Sequence, residues 1–161
     1  MAARFMSHAQ RLQKPLTFML VDVDRFREVN TRFGHLAGDV VSAEIASLLK
    51  RAMRGSDAVI RYGGDEFLVI LADASQADAK IVVDRAQGCL RDWNQGGHLK
   101  GFEVSLSIGV AEWTKGVTLD EVLDAADREM YASKGAAKLV SREGQPGIRA
   151  RVKAASTTAP Y

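Results

Sequence analysis

A chain of 161 residues is long enough for one domain with a full hydrophobic core. Its 47% hydrophobic and 26% charged residues are the proportions of an ordinary soluble globular protein, which argues against a disordered or membrane-embedded chain. The 22 Lys and Arg nearly balance the 20 Asp and Glu, so a dedicated nucleic-acid surface is not expected, whereas a small phosphate ligand needs only local charge.

Residues 3–13 read as a short helix that Pro15 stops. Residues 16–22, Leu-Thr-Phe-Met-Leu-Val-Asp, are apolar without alternation, the pattern of a strand covered on both faces. A short helix follows over 26–33, closed by Gly34. Over 37–54, Val41, Ile45, Leu48, Leu49 and Ala52 form one helical stripe. Strands over 57–62 and 67–71 flank Gly63-Gly64-Asp65-Glu66, where glycine's tolerance of positive φ suits a hairpin tip. Ser75 starts a helix running to Trp93, and residues 102–111 alternate as a strand, with Phe102, Val104, Leu106, Ile108 and Val110 on one side. Thr118 and Glu121 are placed to cap a last helix whose stripe is Leu119, Val122, Leu123, Ala126 and Met130. From 143 to 161 the pattern fades, and a disordered tail is expected. The expected fold is an α/β (α+β) sandwich: a ferredoxin-like or polymerase-palm-like central mixed sheet flanked by helices, with the hairpin carrying an active-site turn. The lone Cys89 cannot form an intramolecular disulfide, no apolar run reaches the length of a membrane span, and a cytoplasmic location is the expectation.

Two acidic loci stand out. Asp22 and Asp24 end the first strand, and Asp65 and Glu66 sit at the hairpin tip. If these meet, their repulsion calls for a cation or a shared proton, and hard oxygen ligands suit Mg²⁺. By spacing alone Asp24 reads as an ordinary strand-end carboxylate, and Asp22 is open between that and a ligand. Two glycines, two acids and an aromatic at the head of an apolar strand are an unusual composition for a plain loop.

Arg61-Tyr-Gly-Gly-Asp-Glu-Phe67 resembles the signature hairpin of the GGDEF domain family, the bacterial diguanylate cyclases. Further blocks agree in order and spacing: Asp22-Val-Asp-Arg-Phe26; Asn30 with Phe33-Gly-His35 and Gly38-Asp39; Ser107-Ile-Gly-Val110; and Ala126-Asp127 with Met130-Tyr131 and Lys134. The resemblance implies that two GTP are condensed into cyclic di-GMP and two pyrophosphates by two-metal phosphoryl transfer across a homodimer. It assigns Mg²⁺ or Mn²⁺, two per half-site, to Asp22, the Val23 carbonyl, Asp65 and Glu66. Asp65 becomes the proton acceptor, Glu66 a further ligand or alternative base, and Arg27, where the family usually has Lys, a transition-state cation. Asn30 and Asp39 would read guanine, whose donor edge suits a carboxylate. His35 either contacts the nucleotide or closes its loop. Lys134 would meet the phosphates, although a lysine at a helix C-terminus is also favoured by the helix dipole. Lys138, where an arginine is usual, would add charge without a bidentate grip. Arg54-Gly-Ser-Asp57 resembles the family's RxxD product-inhibition site, which Arg85 would assist from a neighbouring subunit.

The implied domain is 1–142, lacking the family's usual N-terminal segment. GTP as substrate, cyclic di-GMP as product and inhibitor, and a second copy of the chain are the implied partners. Neither nucleic acid nor membrane is among them, and an upstream sensor domain would lie outside the chain. The competing reading is a non-catalytic GTP- or cyclic di-GMP-binding regulatory module, to which the shortened N-terminus and Lys138 lend weight.

Overall fold

A computed structural model describes residues 1–134; Lys138 and the tail expected over 143–161 lie outside the described residues. The elements run α1 (Ala2–Leu12), β1 (Leu16–Val23), α2 (Phe26–Phe33), α3 (His35–Ala52), β2 (Ala58–Arg61), β3 (Glu66–Ala72), α4 (Gln76–Gln95), β4 (Leu106–Trp113) and α5 (Leu119–Lys134). The strands form one sheet in the order β2-β3-β1-β4. This is the ferredoxin-like topology the sequence suggested.

The sheet is antiparallel at every ladder, not mixed. Each helical crossover does join strands of one direction, β1 to β2 and β3 to β4. Each also skips an intervening strand, so no two parallel strands become neighbours. β1 lies at the centre and is buried along its whole length, which explains its unbroken apolar run. Met19, Val21 and Val23 face a core built with α2, α3 and α4, whereas Leu16, Phe18 and Leu20 face one built with α1 and α5. Gly109 of β4 is needed for close approach, since a Cβ there would lie 2.0 Å from the Ala126 carbonyl oxygen of α5.

The fourth strand starts at Leu106, later than the alternation over 102–111 suggests. Phe102 and Val104 are buried as expected, but the Asn94 side chain occupies the Val104 backbone, accepting its N–H at 2.9 Å and donating to its carbonyl at 2.8 Å. A side-chain amide thus replaces the neighbouring strand. Gly34, at φ 92°, lets α3 begin at His35, directly after α2. Ser75 and Asp78 form a reciprocal capping box on α4. The Thr118 hydroxyl accepts the Glu121 N–H at 3.2 Å, at the start of α5. Among the described residues no helix is long and apolar enough to cross a membrane.

Candidate active site

Register decides which carboxylates meet. Asp22 stands opposite Glu66 on β3 and opposite Ser107 on β4, so these three share the face that α5 covers. The hairpin tip is tied to the same strand end, because the Val23 N–H donates to the Asp65 carbonyl at 2.9 Å. Around the tip, the Arg61 guanidinium donates to the Gly63 carbonyl at 3.0 Å and the Gly64 carbonyl at 3.2 Å, and the Ser42 hydroxyl donates to the Gly64 carbonyl.

The two tip glycines do not use the conformational freedom expected of them. Neither has positive φ. A Cβ on Gly63 would come within 2.8 Å of Glu66 Oε2, and one on Gly64 within 3.4 Å of Phe26. The first contact is with the movable end of the Glu66 side chain and the second is an ordinary van der Waals approach, so neither a left-handed turn nor a rigid neighbour marks these positions.

The backbone tie between Val23 and Asp65 brings the Asp65 carboxyl into the field of Asp22 and Glu66, which stand opposite each other across β1 and β3. Burial, followed by the charges of Asp22 and Glu66, pushes the Asp65 carboxyl up from 3.8 to about 6. A cation already sits beside the pair. Lys134, in the last turn of α5, donates to Asp22 Oδ2 and lies 3.7 Å from Asp24 Oδ1, its side chain only 2% exposed. Asp24 in turn accepts the Ser105 hydroxyl at 2.8 Å and the Ser107 hydroxyl at 2.6 Å. Asp24, Ser105 and Ser107 are thus part of the constellation, although spacing alone read Asp24 as an ordinary strand-end carboxylate and gave the serines no role. The signals available were the acidic strand end of Asp22 and Asp24 and the small polar side of the alternating segment, Ser105, Ser107 and Gly109.

The donor set is all oxygen. No group of three or more His, Cys, Asp and Glu side chains gathers round one point among the described residues. A hard divalent ion needs only one or two carboxylates, with waters and phosphates completing its shell, so the Asp22 and Asp65 pair fits such an ion. The Lys134 ammonium at the helix end lies against the Asp22 member of this pair.

The expected nucleotide-reading residues gather at the junction of α2 and α3. A Cβ on Gly38 would fall 1.9 Å from Asn30 Oδ1, so Asn30 lies directly over the first turn of α3, next to Asp39. Asp39, His35 and Arg27 are exposed. The Arg54–Asp57 segment is differently disposed. The Asp57 side chain is 1% exposed and accepts the backbone N–H of Arg54 and of Ala72, each at 3.0 Å. The Arg54 guanidinium is largely exposed and donates to the Ala72 carbonyl at 2.8 Å. Arg85 donates to the Ala52 carbonyl at the end of α3 at 3.1 Å. In this structure Asp57 is a backbone clasp, so any grip on a ligand here would fall first to Arg54.

Residues 2–138 match the family model described as "Diguanylate cyclase, GGDEF domain". The chain is 31% identical over 132 residues to diguanylate cyclase DosC of Escherichia coli K12, covering 81% of this chain and 29% of that protein. It is 36% identical over 138 residues to diguanylate cyclase TpbB of Pseudomonas aeruginosa PAO1, covering 84% of this chain and 32% of that one. The chain therefore spans about a third of the length of these relatives. The crystal structure of the TpbB GGDEF domain superposes with a TM-score of 0.71 at 35% identity, covering 81% of this chain and 83% of that one. The GGDEF domain of DgcB from Caulobacter crescentus, solved in complex with c-di-GMP, gives 0.74 at 25% identity, covering 81% and 78%.

Proposed function

The chain belongs to the GGDEF domain family of diguanylate cyclases, and from this premise we propose that it condenses two GTP into cyclic di-GMP and two pyrophosphates. The observation that supports the reading is the convergence of two acidic loci: Asp22 stands opposite Glu66 in the sheet, and the Asp65 carbonyl at the hairpin tip accepts the Val23 N–H at 2.9 Å. Mg²⁺ or Mn²⁺, two per half-site, would be held by Asp22, the Val23 carbonyl and Asp65, with Glu66 beside them. When bound, the ions supply charge neutralisation for the phosphates and for the attacking and leaving oxygens.

The chain's own groups do the rest. Asp65 accepts the proton of the 3′-hydroxyl that attacks the α-phosphate of the other GTP; its proton affinity, raised toward neutrality by burial and like charge, suits a base. Asn30 and Asp39 meet the guanine edge, with His35 closing that loop. Lys134 and Lys138 provide positive charge for the phosphates, and Arg27 on the exposed side of α2 reaches the transferring group. One half-site holds one GTP, so turnover needs two copies of the chain. Product inhibition would centre on Arg54, with Asp57 shaping the loop and Arg85 reaching from a neighbouring subunit. The c-di-GMP bound to the DgcB domain supports product binding by this fold.

Incubation with GTP and Mg²⁺, followed by chromatography of the products, tests the reading. Cyclic di-GMP is expected, at a rate per molecule that rises with protein concentration. Binding of GTP with no product at any protein concentration would instead identify a regulatory binding module.

A further inference from the structure

The family reading gives Lys134 to the phosphates of a bound nucleotide, and in the structure its ammonium is engaged by two carboxylates. Its ammonium donates to Asp22 Oδ2 and lies 3.7 Å from Asp24 Oδ1. The Lys134 side chain is 2% exposed and that of Asp22 is 6% exposed, so both charges depend on near neighbours for compensation. Glu66 stands opposite Asp22 in the sheet and Asp65 is tied by its backbone to Val23, so the ammonium lies among several carboxylates. A divalent ion on Asp22 would compete with Lys134 for the same oxygens and repel it at short range. A second berth is ready. Asp24 is fixed by the hydroxyls of Ser105 at 2.8 Å and Ser107 at 2.6 Å, and its own N–H donates to the Ser105 carbonyl at 2.9 Å.

We propose that Lys134 is a resident counter-ion which a divalent cation displaces from Asp22, and that Asp24, braced by Ser105 and Ser107, is the positioning residue that retains the displaced ammonium beside the site. The inference rests on the proposed metal site at Asp22 and Asp65 but asks a different question of it. Metal entry and lysine repositioning become one event, so the group that meets phosphate is released only when the cation is present. Asp24 does not touch the reacting atoms in this scheme; it acts through Lys134.

Mn²⁺ alone, titrated into nucleotide-free protein and followed by electron paramagnetic resonance, tests the competition. Lys134→Met should bind Mn²⁺ about tenfold more tightly than wild type, the effect of deleting one nearby positive charge. Lys134→Arg, which keeps the charge, should stay near wild type. Equal Mn²⁺ affinity in wild type and Lys134→Met would overturn the inference and leave the metal site standing. Absence of Mn²⁺ binding in every variant would overturn the inference and the proposed metal site together. The wild-type chain gives a second readout that does not depend on a variant folding: acylation of Lys134 by acetic anhydride, read by mass spectrometry, should rise several-fold on adding Mn²⁺, and no change would refute displacement. In Asp24→Asn the Mn²⁺-dependent rise should be larger still. An identical rise in that variant and wild type would remove Asp24 from its positioning role.

Discussion

Two buried carboxylates, Asp22 and Asp57, show opposite ways of keeping a charge out of water. Asp57 accepts the backbone N–H of Arg54 and Ala72, so its burial closes a loop with hydrogen bonds the folded chain would otherwise lack. Asp22 faces another carboxylate, Asp65, and relies on the ammonium of Lys134. The first arrangement is complete as a structural clasp. The second holds like charges together beside one ammonium, which is the arrangement the proposed metal site draws on.

The largest effect should come from the second region. Asp65→Ala is expected to lower cyclic di-GMP formation about a thousandfold or more, measured by product chromatography. The tip should survive, because Asp65 is tied to Val23 through its backbone carbonyl. Loss of activity accompanied by a collapsed melting temperature would erase the contrast with Asp57. For Asp57→Ala, urea denaturation should show a loss of about 2–3 kcal/mol, since two backbone donors lose a charged acceptor. Wild-type stability in that variant would mean that the clasp is not what holds the loop.

A smaller effect follows from protonation. Asp65 in the metal-free protein binds its proton more tightly than an unfolded aspartate, with its carboxyl raised from 3.8 to about 6. The favourable contribution is fully present below the unfolded value and is lost as pH rises through about 6. Asp65→Asn should therefore stabilise the metal-free protein at pH 7 by about 1 kcal/mol, a value kept low by solvent screening of a half-buried group. The gain should vanish near pH 4 in denaturation curves taken across the range. The smallest change in stability is expected from Arg54→Ala, about 0.5 kcal/mol or less, because the guanidinium is mostly solvated. Added cyclic di-GMP should inhibit that variant less than wild type in the same product assay, and unchanged inhibition would remove Arg54 from the regulatory proposal.

The residues themselves announced much of this. An unbroken apolar run of this length suggested a strand covered on both faces, and β1 is buried throughout. The helical stripes over α3 and α5 follow from their 3.6-residue period, and their apolar members form the two cores. The fixed order of the GGDEF blocks singled out Asp22, Asp65 and Lys134 as candidates, and the structure places Lys134 against Asp22 at the strand end to which the Asp65 tip is tied. Other features depend on contacts between distant segments. Asn94 cuts β4 short by capturing Val104, and no local pattern foretells that. The glycines of the tip do not adopt the positive φ that their place in a hairpin suggests.

Sequence by itself determined which residues carry charge, which faces are apolar and which family pattern they spell. These depend on composition and short periodicities that survive without the fold. Tertiary structure alone decided that Asp22, Glu66 and Ser107 fall on one face and that Lys134 reaches Asp22 from α5. It likewise decided that Asp57 is spent on backbone amides while Asp24 takes two serine hydroxyls. Strand register and helix packing set those meetings, and both are properties of pairs of segments far apart in the chain.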